Sequence, residues 1–204
     1  MRELTLQAFR SLEERGFKAI VVACNTATSA AIRQLRERYE PMPVIGIEPA
    51  LKPAVDRHPG GRVIVMATET TLREEKFARL TAQYRDRCEI VNLPCPGLME
   101  FVERGELDSP ALEDYLRGVL APVLTPTPSA IVLGCTHYPF LRPVLRRTVG
   151  DETELIDGSA GTARETARQL AAADLLNGQE QGSVTFLNTA NDETFVGLCK
   201  KLLG

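Results

Sequence analysis

Residues 18–26, KAIVVACNT, and residues 129–137, SAIVLGCTH, follow one plan. Each begins with an apolar run rich in β-branched residues, followed by a small residue, a cysteine, and side chains with hydroxyl or amide groups. Apolar runs without polar alternation indicate strands of a parallel sheet that helices cover on both faces. Because ligands of open α/β sheets bind beyond the carboxyl ends of the strands, we expect Cys24 and Cys135 to point into such a crevice.

The alternation of short strands and helical patterns continues along nearly the whole chain. We predict strands at residues 18–23, 44–47, 62–67, 89–93, 130–134, 154–157 and 184–188. Helical patterns lie near residues 4–15, 26–39, 72–84, 110–124, 141–149, 162–176 and 192–203. Strands that alternate with helices in this way predict a doubly wound α/β fold with a parallel sheet.

The composition is that of a globular protein with an ordinary core. The chain has 204 residues, 44% hydrophobic and 25% charged, enough for one large or two small domains. A net charge of −3 offers no basic surface for a nucleic-acid backbone. No apolar run has the length of a membrane span, and the charged, amphipathic start is unlike a signal peptide. We therefore expect a cytoplasmic protein without nucleic-acid or membrane partners.

The cysteine and histidine content bears on disulfides and metal sites. The five cysteines, an odd number, include no CxxC pair, which argues against a disulfide framework. With only two histidines, a cysteine/histidine zinc site is hard to assemble, and we expect no metal ion. Cys88 and Cys199 have the sequence context of packing residues, whereas Cys95, between two prolines, is a candidate for lining a pocket.

Cys24 and Cys135 have two interpretations. Unpaired cysteine is often simply a small core residue. Two cysteines in matching contexts favour a function instead, because each precedes a predicted helix whose free N–H groups and dipole lower the pKa of a thiol. Inverting a carbon centre needs a base on one face and an acid on the other, and two opposed thiols supply that pair. A cysteine–histidine acyl-transfer enzyme needs only one cysteine, so the duplication favours racemisation.

The two motifs resemble the signatures of the glutamate racemases. VACNTA at residues 22–27 and GCTHYP at residues 134–139 carry the resemblance. The wider aspartate/glutamate racemase superfamily shares CNT and GCT, and the HYP continuation is typical of the glutamate branch. Further similar stretches, which extend the resemblance over essentially the whole chain, are residues 44–49, 67–68, 95–103 and 155–159.

The resemblance implies an architecture and an activity. It implies two pseudo-symmetric, doubly wound parallel-sheet domains with the active site between them. Residues 1–47 with 159–204 would form the first domain, which carries Cys24, and residues 48–158 the second, which carries Cys135. The implied reaction is the racemisation of L-glutamate to D-glutamate for peptidoglycan synthesis, without a cofactor. The only small-molecule partner implied is glutamate, and a homodimer is an assembly to consider.

The resemblance also implies roles for particular residues. Cys24 and Cys135 would exchange the α-proton from opposite faces. Asn25, Thr26 and Thr136 would hold the carboxylate and ammonium groups of the substrate, for which helix N-termini with backbone donors are a suitable place.

His137 would assist the second thiol, and Glu103 would be the carboxylate partner of that histidine. In isolation, His137 would instead be interpreted as a packed turn residue, and Glu103 as a solvated residue on a helix. Ser159 and Thr162 are expected to cap the helix that begins near them rather than to touch substrate.

The start of the chain departs from the family pattern. The family begins with a strand carrying Asp-Ser-Gly-Val-Gly-Gly and later has a Tyr-Gly pair, and neither occurs here. We therefore expect that a first segment is missing, either because the sequence is a fragment or because it is a shortened natural product. The strand at residues 18–23 should then have an unpaired edge and exposed apolar surface, and the racemase activity should be much reduced.

Two other functions stay open at this point. One is a related superfamily enzyme that acts on aspartate, a hydantoin or a substituted malonate, although the HYP motif argues against it. The other is a non-catalytic protein that keeps the ligand-binding crevice and not the chemistry. A substrate panel separates the first from a glutamate racemase, and substitution of the two cysteines separates the second.

Overall fold

Six short strands form two parallel sheets in the computed structural model, which describes residues 1–178 and 181–203. The smaller sheet pairs β1 (Ile20–Val22) with β2 (Val44–Gly46). The larger sheet has the order β4-β3-β5-β6, with β3 at Arg62–Ala67, β4 at Glu89–Pro94, β5 at Ala130–Leu133 and β6 at Glu154–Asp157. The predicted α/β fold with parallel sheets is therefore confirmed.

Ten α-helices connect and cover these strands within the described residues. In chain order they are α1 (Arg2–Arg10), α2 (Asn25–Tyr39), α3 (Leu51–Arg57), α4 (Glu69–Arg73), α5 (Glu75–Ala82), α6 (Leu98–Glu103), α7 (Pro110–Leu120), α8 (Arg142–Val149), α9 (Ser159–Ala172) and α10 (Glu193–Leu203). Short 3-10 turns lie at Glu13–Arg15, Ala121–Val123 and Tyr138–Leu141.

Two sequence predictions of secondary structure were wrong. Residues 184–188 form no strand; they lie outside both sheets, with Val184 and Leu187 exposed, so their β-branched run has no partner. The helix predicted at residues 72–84 is interrupted at Glu74, whose extended backbone ends α4 and begins α5. Residues 184–188 have a strand-like composition and residues 72–84 a helix-like one, but contacts with the rest of the fold decide which structure forms.

The larger sheet is buried on both faces because its strands carry apolar side chains on both. Val63 and Val65 of β3 belong to one apolar cluster, together with residues of α3 and α5. Ile64 and Met66, which alternate with them, belong to the cluster on the opposite face, under α6, α7 and α8. All four side chains are fully buried, and burying a side chain of this size stabilises a fold by about 1.5–3 kcal/mol.

The smaller sheet has its own apolar cluster beneath α2. Ile20 and Val22 of β1 and Val44 of β2 pack there against Ile32 and Leu35 of α2. The three clusters of the described chain are thus separate: one belongs to the smaller unit (β1, β2, α1 and α2), and two belong to the larger unit (the four-stranded sheet with α3–α8). Whether these units correspond to the domain boundaries expected from the sequence stays a prediction.

The two units are linked where the chain crosses between them. It leaves β2 through residues 47–50 to reach α3, and it leaves β6 through Gly158 to reach α9, which packs against β2. A Cβ atom at Gly158 would lie 3.0 Å from the carbonyl oxygen of Glu48, so the two crossings lie in direct contact. Both connections therefore run through one small region beside the carboxyl ends of the strands.

The outer edge of β1 has the character that the sequence predicts. Within residues 1–178 and 181–203, β1 pairs with β2 alone. Val21, in the centre of β1, is 42% exposed, which is unusual for a strand of a doubly wound sheet. None of the helices in the described part of the chain is both long and apolar enough to cross a membrane.

Gly134 provides a test of the packing at the end of β5. Its amide donates to the carbonyl oxygen of Met66 at 2.7 Å, and an added Cβ would lie 2.8 Å from that same oxygen. We expect Gly134→Ala to lower the free energy of unfolding by about 1–3 kcal/mol, because β3 and β5 must separate to accept the methyl group.

Gly118→Ala is the matched control for that measurement. Gly118 lies exposed in α7, and nothing lies within 4 Å of its added Cβ. Alanine there should stabilise the helix by about 0.5–1 kcal/mol. Urea unfolding followed by circular dichroism measures both variants, and an unchanged midpoint for Gly134→Ala would contradict the prediction.

Candidate active site

The functional side chains named from the sequence converge at the carboxyl ends of strands from both sheets. In the larger sheet the chain runs from β3 outward to β4 and then returns to place β5 on the other side of β3. Such a reversal opens a crevice between the two strands, the usual ligand position in doubly wound sheets. Thr68 follows β3 and Cys135 lies just beyond β5, while Cys24 lies just beyond β1 of the smaller sheet.

Cys24 occupies the N-cap position of α2. Its backbone is extended (φ −121°, ψ 123°), and its carbonyl oxygen accepts the first helical hydrogen bond, from the amide of Thr28 at 2.8 Å. The side chain is solvent-exposed. The prediction that this thiol precedes a helix N-terminus is therefore confirmed, and the free amides of the first helical turn open beside it.

Cys135 has a different environment, and the expected lowering of its pKa is wrong. Burial raises the pKa of the Cys135 thiol to about 11 and outweighs the backbone amides of His137 and Thr136, which donate to the sulfur and lower it. Negative charge on Cys24 and Glu103 raises it further. The residues after Cys135 form a 3-10 turn before α8 begins, so no long helix points its N-terminus at this thiol.

A histidine contacts the thiol of Cys135, and a carboxylate contacts the other side of that histidine ring. The Sγ atom of Cys135 lies 3.6 Å from Nδ1 of His137, and Nε2 of the same ring lies 3.3 Å from Oε1 of Glu103. Glu103 is the last residue of α6, on the larger unit. The sequence prediction that these three residues act together agrees with their arrangement, whereas their roles stay a proposal.

Asn25 joins the two thiol loops across the units. Its Nδ2 donates to the carbonyl oxygen of Gly134 at 2.9 Å, and the residue is 92% buried because its exposed fraction is 8%. Its Oδ1 is buried without a hydrogen-bond partner among the described residues. A buried acceptor without a donor is costly, and at the edge of a cavity it indicates where a ligand donates.

A small, narrow cavity adjoins Asn25 and Cys135. Its lining residues are Asn25, Ile47, Glu48, Leu133, Cys135, Thr136, Pro139, Asp157, Gly158 and Ser159. No lysine or arginine is among them, so a carboxylate bound there must rely on neutral donors. Among the described residues, no group of three or more histidine, cysteine or acidic side chains is placed to hold a metal ion.

Three residues of this region were missed or misread from the sequence. Ser159 does not cap α9, because Gly158 is the N-cap residue; instead Ser159 lines the cavity, and its amide donates to Oδ1 of Asp157 at 2.7 Å. Thr162 does not cap α9 with its side chain either; its hydroxyl donates to the carbonyl oxygen of Gly158. The sequence did contain a signal for Asp157, because its position at the carboxyl end of β6 is where ligand-binding residues of such sheets lie.

Asp157 is held as a carboxylate. Burial disfavours its charge, but the Arg142 guanidinium and the Ser159 groups that donate to it outweigh burial and keep its pKa below the usual range. Asp157 is paired with Arg142 and Glu48 with Lys76, so each carboxylate on the cavity wall has a cation beside it.

Cys95, which the sequence offered as a pocket-lining residue, lies instead in the apolar core of the larger unit. It is 2% exposed, and burial raises the pKa of its thiol to about 12. Cys88 is buried as expected, and Cys199 lies half-buried on α10. Only Cys24 and Cys135 among the described cysteines reach the crevice.

The comparisons with known proteins agree on one family. The Asp/Glu/Hydantoin racemase family matches residues 2–166. A glutamate racemase of Clostridium perfringens is 47% identical over 204 residues, which cover all of this chain and 78% of that protein. The chain thus spans about four fifths of the length of this relative.

Solved structures of glutamate racemases have the same fold. The Escherichia coli enzyme, in complex with L-glutamate and the activator UDP-MurNAc-ala, superposes with a TM-score of 0.83 at 28% identity and covers 98% of this chain and 77% of that one. The Thermus thermophilus enzyme, in complex with beta-chloro-D-alanine, gives a TM-score of 0.77 at 32% identity, over 98% of this chain and 74% of that one.

The raised pKa of Cys135 predicts how its reactivity depends on pH. Because its pKa is about 11, the thiol is protonated at neutral pH and the nucleophilic thiolate accumulates only as the pH approaches 11. Alkylation of Cys135 by iodoacetamide, followed by peptide mass spectrometry, should therefore still accelerate between about pH 8 and pH 10. A rate that levels off below about pH 8 would show that the thiol ionises in the ordinary range or below it.

Proposed function

The chain belongs to the aspartate/glutamate/hydantoin racemase family, and on that premise we propose that it interconverts L- and D-glutamate with Cys24 and Cys135 as its acid–base pair. Racemases are isomerases, so the enzyme class follows from the family. The observation that carries the two-thiol proposal is the hydrogen bond from Asn25, directly after one thiol, to Gly134, directly before the other. It ties the residue after Cys24 to the residue before Cys135, which supports a shared crevice for the two thiols.

The proposed reaction removes a proton from one face of the α-carbon and adds a proton to the opposite face. A thiolate at Cys24 takes the α-proton of one enantiomer and leaves the electron pair on the α-carbon. The neutral thiol at Cys135 then delivers its own proton to the opposite face and becomes the thiolate. The proton count is unchanged, and the roles exchange in the reverse direction. The raised pKa of Cys135 suits it to begin as the acid, because it is protonated at neutral pH.

In the reverse direction Cys135 must give up a proton that burial makes it hold. His137 provides the acceptor: if its Nε2–H points to Glu103, its Nδ1 carries a free lone pair toward the sulfur, 3.6 Å away. The imidazole then takes the thiol proton, and the Glu103 carboxylate stabilises the imidazolium. We therefore assign His137 to proton transfer at Cys135 and Glu103 to its orientation.

Substrate groups have matching partners in the crevice. The unpartnered Oδ1 of Asn25 accepts from the ammonium group, at the cavity that Asp157 also lines. Thr26 and Thr136 offer hydroxyl donors to carboxylate oxygens, and the open amides of the first turn of α2 add backbone donors. Supply of D-glutamate to peptidoglycan and a homodimer are expected from the resemblance alone, and a cytoplasmic location from the sequence alone; all three stay proposals.

Replacement of each thiol tests the acid–base pair. Serine keeps the shape of the side chain and loses the accessible ionisation, so we expect Cys24→Ser and Cys135→Ser each to reduce racemisation by about 10²–10⁴-fold. Circular dichroism at a single wavelength follows L- to D-glutamate conversion over hours, so that slow turnover is still measured. In deuterium oxide the product of the unmodified chain should carry deuterium at the α-carbon.

Cys199→Ser is the control for these variants, because Cys199 lies on α10 away from the crevice and its replacement should leave turnover unchanged. Full activity of either crevice variant would overturn the two-thiol proposal. A substrate panel with aspartate and hydantoins distinguishes the proposed reaction from that of other members of the family.

Glu103→Gln tests the orientation of His137. The amide keeps the size of the side chain and removes the charge that stabilises the imidazolium, so kcat/KM should fall by about ten- to a hundredfold. The fall must be equal in both directions, because the enzyme cannot change an equilibrium that favours neither enantiomer. Glu106→Gln is the matched control, since Glu106 pairs with the exposed Arg104 outside the crevice. Equal kinetics for the two variants would remove Glu103 from the mechanism.

A further inference from the structure

Arg142, the first residue of α8, holds the end of the segment that carries the second thiol. That segment runs from Cys135 through the 3-10 turn at Tyr138–Leu141 to α8. The guanidinium of Arg142 reaches back to the end of β6, where Nη1 donates to the carbonyl oxygen of Leu155 at 2.9 Å and Nη2 donates to Oδ2 of Asp157 at 2.5 Å. Both terminal nitrogens of the guanidinium are therefore bound to β6.

Asp157 extends this connection to the smaller unit. It pairs in the sheet with Leu133, the last residue of β5, close to the point where the Cys135 segment begins. While its Oδ2 binds Arg142, its Oδ1 accepts from the amide of Ser159, the first residue of α9, at 2.7 Å. The α9 helix packs against β2 of the smaller unit. One carboxylate thus joins the Cys135 segment to a helix that lies against the sheet of the first thiol.

The burial of this carboxylate makes its partners necessary. The Asp157 side chain is 15% exposed, and burial by itself favours the neutral acid. The hydrogen bonds from Arg142 and Ser159 outweigh burial and hold the pKa of Asp157 below its usual range. The carboxylate is therefore charged at neutral pH, and hydrogen bonds to a charged group are stronger than those between neutral groups.

Apolar side chains anchor the other side of the Cys135 segment. Tyr138 and Leu141 are fully buried in the cluster under α6, α7 and α8. Apolar contacts are non-directional, whereas a planar guanidinium with two fixed acceptors also sets the orientation of the segment. Orientation matters at a thiol that exchanges a proton, because a displacement of about 1 Å can lower a rate by a factor of about 10².

We propose that Arg142 is a positioning residue that, through Asp157, holds the Cys135 thiol in register with the thiol of the smaller unit. The inference rests on the proposed function, in which the two thiols must reach one α-carbon from opposite faces. The hydrogen bond from Asn25 to Gly134 ties the start of the Cys135 segment, and the Arg142–Asp157 pair ties its far end. Arg142 is not among the residues that line the cavity, so it acts through the residues that it binds.

Arg142→Met is the direct test, because methionine keeps an unbranched apolar side chain and lacks the guanidinium. We expect kcat for glutamate racemisation to fall by about ten- to a hundredfold. KM should stay within about threefold, because Asn25 and Thr26 of the smaller unit still bind the substrate in the proposed reaction. Arg142→Lys keeps the charge but not the planar pair of donors, so it should give an intermediate kcat. A lysine variant as slow as the methionine variant would contradict the role of the ion pair.

The reactivity of Cys135 reports its positioning without turnover. A segment released from β6 exposes the half-buried thiol and lowers its raised pKa. At about pH 8, iodoacetamide should therefore alkylate Cys135 about five- to tenfold faster in Arg142→Met than in the unmodified chain. Peptide mass spectrometry measures the rate, and an unchanged rate would overturn the inference.

Arg146→Met is the matched control. Arg146 also lies on α8, and its side chain is 36% exposed, against 39% for Arg142. It likewise donates to backbone, at the carbonyl oxygens of Gly150 and Thr153, but these lie before the amino end of β6. The variant should lower the free energy of unfolding and leave kcat and the alkylation rate of Cys135 unchanged. Equal losses of kcat in the two variants would show a general effect of stability and overturn the inference.

A double variant tests whether Arg142 acts through Asp157. Asp157→Asn keeps the shape of the side chain and removes the charge that pairs with the guanidinium, so it should lower kcat by a similar factor. In that background Arg142→Met should add less than about threefold, and a full additional effect would count against the inference. If the unmodified chain does not racemise glutamate, the proposed function fails and the inference fails with it. If it does, and Arg142→Met changes neither kcat nor the alkylation rate, the inference alone fails.

Discussion

One buried hydrogen bond, from Nδ2 of Asn25 to the carbonyl oxygen of Gly134, determines how the two halves of the crevice meet. The donor is the residue after Cys24 and the acceptor is the residue before Cys135, so the bond fixes one thiol loop relative to the other. It also fixes the orientation of the Asn25 amide, which is why the Oδ1 atom is left as an acceptor at the cavity. In the proposed reaction, substrate recognition and the pairing of the thiols thus depend on the same side chain.

The two thiols are not equivalent although their sequence contexts nearly repeat. Cys24 is exposed at the start of a long helix, whereas Cys135 is half-buried ahead of a 3-10 turn. Burial makes the Cys135 thiolate unfavourable, and in the proposed mechanism the adjacent His137–Glu103 pair compensates by accepting the proton. The two thiols have different supporting residues because they differ in how far solvent reaches them.

Much of this arrangement could be predicted from the sequence, for a physical reason. Parallel strands buried on both faces are continuous apolar runs, so six of the seven strand predictions were confirmed, and the carboxyl ends of those strands must share one edge. What the sequence could not show depends on contacts between distant segments. Whether Cys135 is desolvated, whether Ser159 faces the cavity or caps α9, and which carboxylate meets Arg142 are set by packing. The run at residues 184–188 failed as a strand for the same reason, since no partner strand lies beside it.

The separation of the apolar clusters has a consequence for motion. Each cluster lies within one unit, whereas α2 meets the α4–α5 segment through side-chain hydrogen bonds such as that from Ser29 to Glu74. Water can replace such bonds at a small net cost, but it cannot replace apolar contacts. The crevice can therefore widen by hydration of its polar walls while the three apolar clusters stay dry, pivoting where the two chain crossings touch at Gly158 and Glu48.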